Sequence, residues 1–118
     1  MKIAIVGSRD FSDMDFARWK IYRFLDERKR QDIVVSGGAR GIDSLAEEVV
    51  KQMGMTCTVY EADWQKYGKQ AGFIRNRSII NGADYIIAFW DGKSKGTKHS
   101  IDLALEQNKP IDIYVRTR

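Results

Sequence analysis

The chain has 118 residues, 43% of them hydrophobic and 31% charged. That is material for one domain with a real core, and no apolar run approaches the roughly 20 residues a membrane span needs. A single cysteine, Cys57, and a single histidine, His99, exclude an internal disulfide and a Cys/His zinc cluster. Twenty Lys and Arg against sixteen Asp and Glu give a net charge of +4, which favours anionic partners and also fits an ordinary solvated surface.

Residues 2–6 (KIAIV) are a short apolar run ended by Gly7, too short for a signal peptide, and they read as a first strand. The expected setting is the reducing cytoplasm. Ser12 is the expected N-cap of a first helix, with Asp13 and Asp15 in its first turn facing the dipole. Ala17, Ile21, Phe24 and Leu25 then repeat at helical spacing. Ile33 to Val35 form a second strand, closed by Ser36-Gly37-Gly38. Ile42, Leu45, Ala46, Val49, Val50 and Met53 give a helical stripe that Gly54 terminates. Residues 55–60 are a third strand.

The polar, aromatic link from Glu61 to Gln70 is longer than most strand–helix connections. A third helix is expected from Ala71 to Ile80, a fourth strand over 84–90, a fourth helix from Thr97 to Gln107, and a fifth strand over 111–115. Strands alternating with helices imply parallel pairing. The expected fold is a Rossmann-like α/β sandwich of three layers, with five parallel strands in the order 3-2-1-4-5, formed by residues 1–118 as one domain. The long link carries the chain across strand 1 and creates a switch point between strands 1 and 4, where open α/β sheets bind ligands.

All strand–helix loops of a parallel sheet leave one edge, so Gly7-Ser8-Arg9, Ser36 to Asp43 and Asp91 to Thr97 should converge. Each has glycine, each leads into a helix N-terminus, and each carries a cation: Arg9, Arg40, or Lys93 with Lys95. Free N–H groups and the helix dipole at such a rim favour a phosphate. Gly92-Lys93-Ser94 is not a phosphate-binding P-loop, because Ile87 stands where the upstream glycine belongs. Gly38 and Gly41 keep only the second half of the dinucleotide-binding glycine pattern, which argues against a nicotinamide dehydrogenase. Arg75, Asn76 and Arg77 put two guanidinium groups and an amide on one turn of the third helix, a composition suited to phosphate. Trp64 and Tyr67 sit in polar context and can form a lid, whereas Trp90 closes a strand and Trp19 lies on the first helix. His99, Asp43 and Asp102 all fall early in helices, where capping or dipole preferences also place such residues.

The segments GSRDF, SGGARGID, RNRSII and DGKSKGTKHSID, in this order over nearly the whole chain, resemble the small YspA-type members of the SLOG superfamily. Ser36 to Asp43 is close to the signature of DNA-processing protein A, a single-stranded DNA binder, and Phe73 to Ile80 resembles that family's Arg-Asn-Arg segment. The superfamily also contains the lonely-guy phosphoribohydrolases, which cleave nucleoside monophosphates at the N-glycosidic bond. Gly96-Thr97 matches their P-G-G-x-G-T-x-x-E hallmark, but Gly92, Lys93 and Ser94 replace its Pro-Gly-Gly, and Ser100 replaces the catalytic glutamate. Asp102 is about 200° around a helix from Ser100 and is no simple replacement.

The resemblance implies three readings. The first is binding of a nucleotide-derived, phosphate-bearing ligand, as in a sensor or carrier. Gly7, Ser8, Arg9, Gly37, Gly38, Ala39, Arg40, Gly41 and Asp43 would form one side of that site, and Arg75, Asn76, Lys95, Gly96 and Thr97 the other. The second is N-glycosidic hydrolysis of a nucleotide, with Arg75 holding the ligand and Asp102 or Asp43 as base or oxocarbenium stabiliser. The third is single-stranded nucleic-acid binding, aided by the helix-1 cluster Arg18, Lys20, Arg23, Arg28, Lys29 and Arg30. No cofactor, metal or membrane is expected, and a homodimer through a sheet edge or the Trp19 helix stays open.

Overall fold

Along the first strand, successive buried side chains point to opposite cores. Ile3 and Ile5 face one core and Ala4 and Val6 the other, as the two-residue period of a strand covered on both sides requires. The computed structural model describes residues 1–28 and 31–117. Strands β1 (Lys2–Gly7), β2 (Ile33–Ser36), β3 (Thr56–Val59), β4 (Tyr85–Trp90) and β5 (Ile111–Val115) form one parallel sheet in the order β3-β2-β1-β4-β5. This is the expected order, with the 61–70 link crossing from the β3 edge to the far side of β1.

Helices α1 (Met14–Asp26) and α2 (Ile42–Gln52) cover the face carrying Ile3, Ile5, Val34, Ile87 and Phe89. After α3 (Trp64–Tyr67), helices α4 (Ala71–Gly82) and α5 (Lys95–Glu106) cover the face carrying Ala4, Val6, Val35, Ile86 and Ala88. β1 therefore lies at the centre, between β2, whose connections run over one face, and β4, whose connections run over the other.

Local departures from expectation have capping causes. Asp13, not Ser12, caps α1, accepting the Phe16 N–H at 3.1 Å. The two are adjacent capping types, and the carboxylate adds a favourable charge at the dipole. The 61–70 link contains α3 and a 3-10 turn over Gly68–Gln70, because the Asp63 carboxylate accepts the Lys66 N–H at 3.1 Å and starts a helical turn. α5 begins at Lys95, two residues early, because Ser94 caps it. Among the described residues, no helix is long and apolar enough to cross a membrane.

Candidate functional site

The loops after β1, β2 and β4 meet around a cleft of about 510 Å³. The first loop brings Gly7, Arg9 and Asp10; the second brings Gly37 and Ala39, with Asp43 from α2. Asp91, Lys93 and Ser94 come from the third, and Gly96, Thr97 and Ser100 from α5. Helix α4 closes the cleft with Arg75 and Asn76.

Arg75 is held before any ligand arrives. Its Nη1 donates to the Gly37 carbonyl at 2.6 Å and its Nε to Asn76 Oδ1 at 3.1 Å. Nη2 has no hydrogen-bond partner among the described residues. Asn76 is itself buried and fixed, its Nδ2 donating to the Gly96 carbonyl at 3.2 Å. One two-residue step of α4 thus ties the second loop to the start of α5. Burial pulls the Arg75 pKa down while Asp43 opposes that pull, and the guanidinium stays charged.

Asp43 is 6% exposed. Burial raises its pKa from 3.8 to about 6, against the opposing pulls of the Ala39 N–H, 3.1 Å from Oδ2, and of Arg75. The carboxylate shapes the second loop by accepting that N–H, and as pH rises through about 6 it ionises against the cost of burial. Asp91 behaves in the opposite way. Burial acts to raise its pKa, but the Lys93 and Ser94 N–H groups, each 2.8 Å from Oδ1, outweigh it and hold the carboxyl below its ordinary range.

Beneath the cleft floor, Ser8 is 1% exposed. Its hydroxyl accepts the Asp91 N–H at 3.1 Å and lies 3.3 Å from Thr97 Oγ1, which lies 3.2 Å from Ser94 Oγ. Ser8 therefore joins the first loop to the third instead of facing the cleft. Two glycines make the close approach feasible. A Cβ on Gly7 would stand 2.5 Å from Ile42 Cβ, and one on Gly41, at φ +75°, would stand 2.5 Å from the Arg9 carbonyl oxygen.

The remaining expected site residues fall around this centre. Gly38 lies one step outward, in an adjoining hollow. Arg40 is exposed and pairs with Asp10 at 3.8 Å. Lys95 opens α5 without lining the cleft, whereas Lys93 does line it. Asp102 is outside the cleft and pairs with Lys98 at 2.8 Å, while Ser100, where the lonely-guy glutamate would stand, is buried and faces in. Arg77 is exposed and does not line the cleft with its neighbour Arg75. His99 packs edge-on against Phe73, and burial together with the Arg77 charge lowers its pKa.

On α1, Lys20 and Arg23 lie over Trp19 and Arg18 pairs with Glu48, while Arg28, just past the end of α1, lies over Phe24. Lys29 and Arg30 of that basic cluster lie outside the described residues. Trp90 is half-buried and its Nε1 donates to the Ser94 carbonyl at 3.0 Å, so it serves the third loop from within. The structural work of Asp91 and Ser94 was missed in the sequence, although an aspartate three residues before a serine helix cap is a turn signature.

The family model for YAcAr, the YspA, cpYpsA-related SLOG family, matches residues 1–67. The chain belongs to this family. The gene 61 protein of Mycobacterium phage D29 is 36% identical to this SLOG chain over 120 residues, covering 93% of each. Among solved structures, DNA processing protein A of Streptococcus pneumoniae superposes with a TM-score of 0.74 at 22% identity, over 97% of this chain and 49% of that one. The Helicobacter pylori DNA processing protein A, solved for its single-stranded DNA binding mode, gives a TM-score of 0.68 at 25% identity, over 96% of this chain. The SLOG chain spans about half of the first of these proteins and 64% of the second.

Proposed function

We propose that residues 1–118 form a nucleotide-binding domain that takes a nucleotide-derived, phosphate-bearing ligand at the C-terminal edge of the sheet. The observation that carries this reading is the anchored Arg75 guanidinium, which keeps Nη2 for a ligand while Gly37 and Asn76 fix its orientation. Preorganisation of this kind removes the ordering cost that a free arginine incurs on binding. Around it, Arg9 and Lys93 form no ion pair among the described residues, whereas the cleft carboxylates are engaged: Asp91 by two amides, Asp10 by Arg40, and Asp43 by Ala39 N–H and Arg75. The first turn of α5 adds a partial positive charge at Gly96 and Thr97.

Titration calorimetry with AMP, ADP-ribose and cyclic dinucleotides tests the proposal. Saturable heat with at least one of them is expected, and none at millimolar concentration overturns it. A second reading, single-stranded nucleic-acid binding, is favoured by the likeness to the Helicobacter pylori protein. In that reading the same arginines take phosphates of a chain.

A further inference from the structure

We infer that Trp64, at the start of α3, is the nucleobase platform of this site. The inference rests on the nucleotide-binding reading and adds to it the place where the base lies. The cleft continues outward into a second hollow of about 280 Å³, which shares Arg9, Gly37, Ala39 and Arg75 with the first. What the outer hollow adds is different in kind: Gly38, Glu61, Ala62 and Trp64.

Trp64 is 54% exposed yet locally fixed. Asp63 caps its helical turn, with Lys66 N–H donating to Oδ1 at 3.1 Å and Tyr67 N–H to the Asp63 carbonyl at 3.0 Å. The tip of the ring rests on α4 at Gly72, where a Cβ would stand 3.4 Å from Trp64 Cη2 and 4.0 Å from Arg75 Nη2. One small residue is thus flanked by an indole on one side and by the unused nitrogen of the anchored guanidinium on the other. Gly72, the second residue of α4, brings no side chain of its own to this meeting point.

The two hollows differ in how their carboxylates are engaged. The inner one holds Lys93 and the α5 N-terminus, and its Asp10, Asp43 and Asp91 are each taken up by Arg40 or by backbone N–H groups. The outer one holds Glu61 and no cation beyond the shared Arg9 and Arg75. A carboxylate at that end disfavours phosphate and accepts hydrogen bonds from base N–H groups. A rigid, half-exposed indole stacks a base face through an interaction that tolerates any base. The phosphate then lies inward at Arg75 and the base outward on Trp64.

The test compares ADP-ribose with ribose 5-phosphate, which lacks a base, on the intact chain and on the Trp64→Ala and Trp64→Phe variants. Thermal melts confirm that each variant is folded. The expected result is that Trp64→Ala weakens ADP-ribose about 5- to 100-fold, the range of one base–aromatic stack. Ribose 5-phosphate binding stays unchanged, and Trp64→Phe restores most of the loss. Unchanged ADP-ribose affinity in Trp64→Ala overturns the platform and leaves the nucleotide reading standing. Equal loss for both ligands also overturns it, because Trp64 would then only shape the cleft. Failure of the intact chain to bind ADP-ribose overturns the platform, and failure with AMP and cyclic dinucleotides as well overturns both readings.

Discussion

The Arg75 guanidinium reaches from the first half of α4 to the Gly37 carbonyl, a 2.6 Å contact across 38 residues of sequence. It is the only side-chain hydrogen bond among the described residues that joins α4 to the loop after β2. Replacing Arg75 with methionine leaves that carbonyl without its donor and removes the charge. Ligand affinity should fall about 10- to 100-fold, the worth of a lost charge-assisted hydrogen bond. Arg75→Lys should fall between, because it keeps the charge and loses the fork that holds Asn76. Calorimetric titration of both variants with whichever nucleotide the intact chain binds checks the order.

Asp43 gives the fold a pH dependence of defined sign. Its pKa is about 6 when folded, against an ordinary 3.8, so the folded state holds the proton more tightly. The stability it contributes is complete below pH 3.8 and is lost as pH rises through about 6. Asp43→Asn keeps an acceptor for the Ala39 N–H without the buried charge. It should be more stable than the parent at pH 8 by up to about 3 kcal/mol, and similar to it at pH 4. Urea unfolding at both pH values decides; a variant less stable at pH 8 would sink the assignment.

Gly7→Ala should be destabilising by about 1–3 kcal/mol, since the added methyl drives into Ile42 at the start of α2 and the core there is already filled. A thermal melt reads it directly. An unchanged melting temperature would mean that α2 yields without cost.

Ser8→Ala removes the hydroxyl that accepts the Asp91 N–H beneath the third loop. The expected loss is about 1–3 kcal/mol for a buried unsatisfied donor. Amide hydrogen exchange should show faster exchange at Asp91 than at Val6 or Ala88, which stay inside the sheet. Uniform exchange would show that Ser8 does not hold the loop.

If the ligand is a single strand, affinity should fall with salt. Three cations line the cleft, Arg9, Arg75 and Lys93. The slope of log affinity against log salt should be about −2 for three phosphate contacts. Fluorescence anisotropy with a labelled oligothymidine from low to high salt measures it, and a flat response removes the polynucleotide reading.

Much of this was legible in the residues. The order 3-2-1-4-5 followed from the strand–helix alternation of such folds, and the long 61–70 link was consistent with a crossing over β1. Glycine and cation together marked the three loops that meet. The helical angle separating Ser100 from Asp102 showed that one does not simply replace the other, but Asp102 still stood as a candidate base, and it lies outside the cleft. What stayed hidden depends on contacts distant in sequence. Ser8 looked like a ligand group because nothing local shows that Asp91 and Thr97 close over it. The adjacency of Arg75 and Arg77 in sequence did not reveal that one faces inward and the other outward. Asp13 prevailed over Ser12 because two adjacent caps compete, and the chain's entry into α1 decides between them. The seat of Trp64 on Gly72 joins α3 to α4 across a turn whose shape no spacing rule specifies.

Where Gly41 meets the Arg9 carbonyl, two main chains touch with no side chain between them. Mutation at that junction would dislocate both walls at once, so under the proposed function a change of ligand preference would come through groups hung away from it: Arg40, Lys93, Glu61 and Trp64. Related chains that choose different guests should therefore differ at those positions while keeping the junction closed.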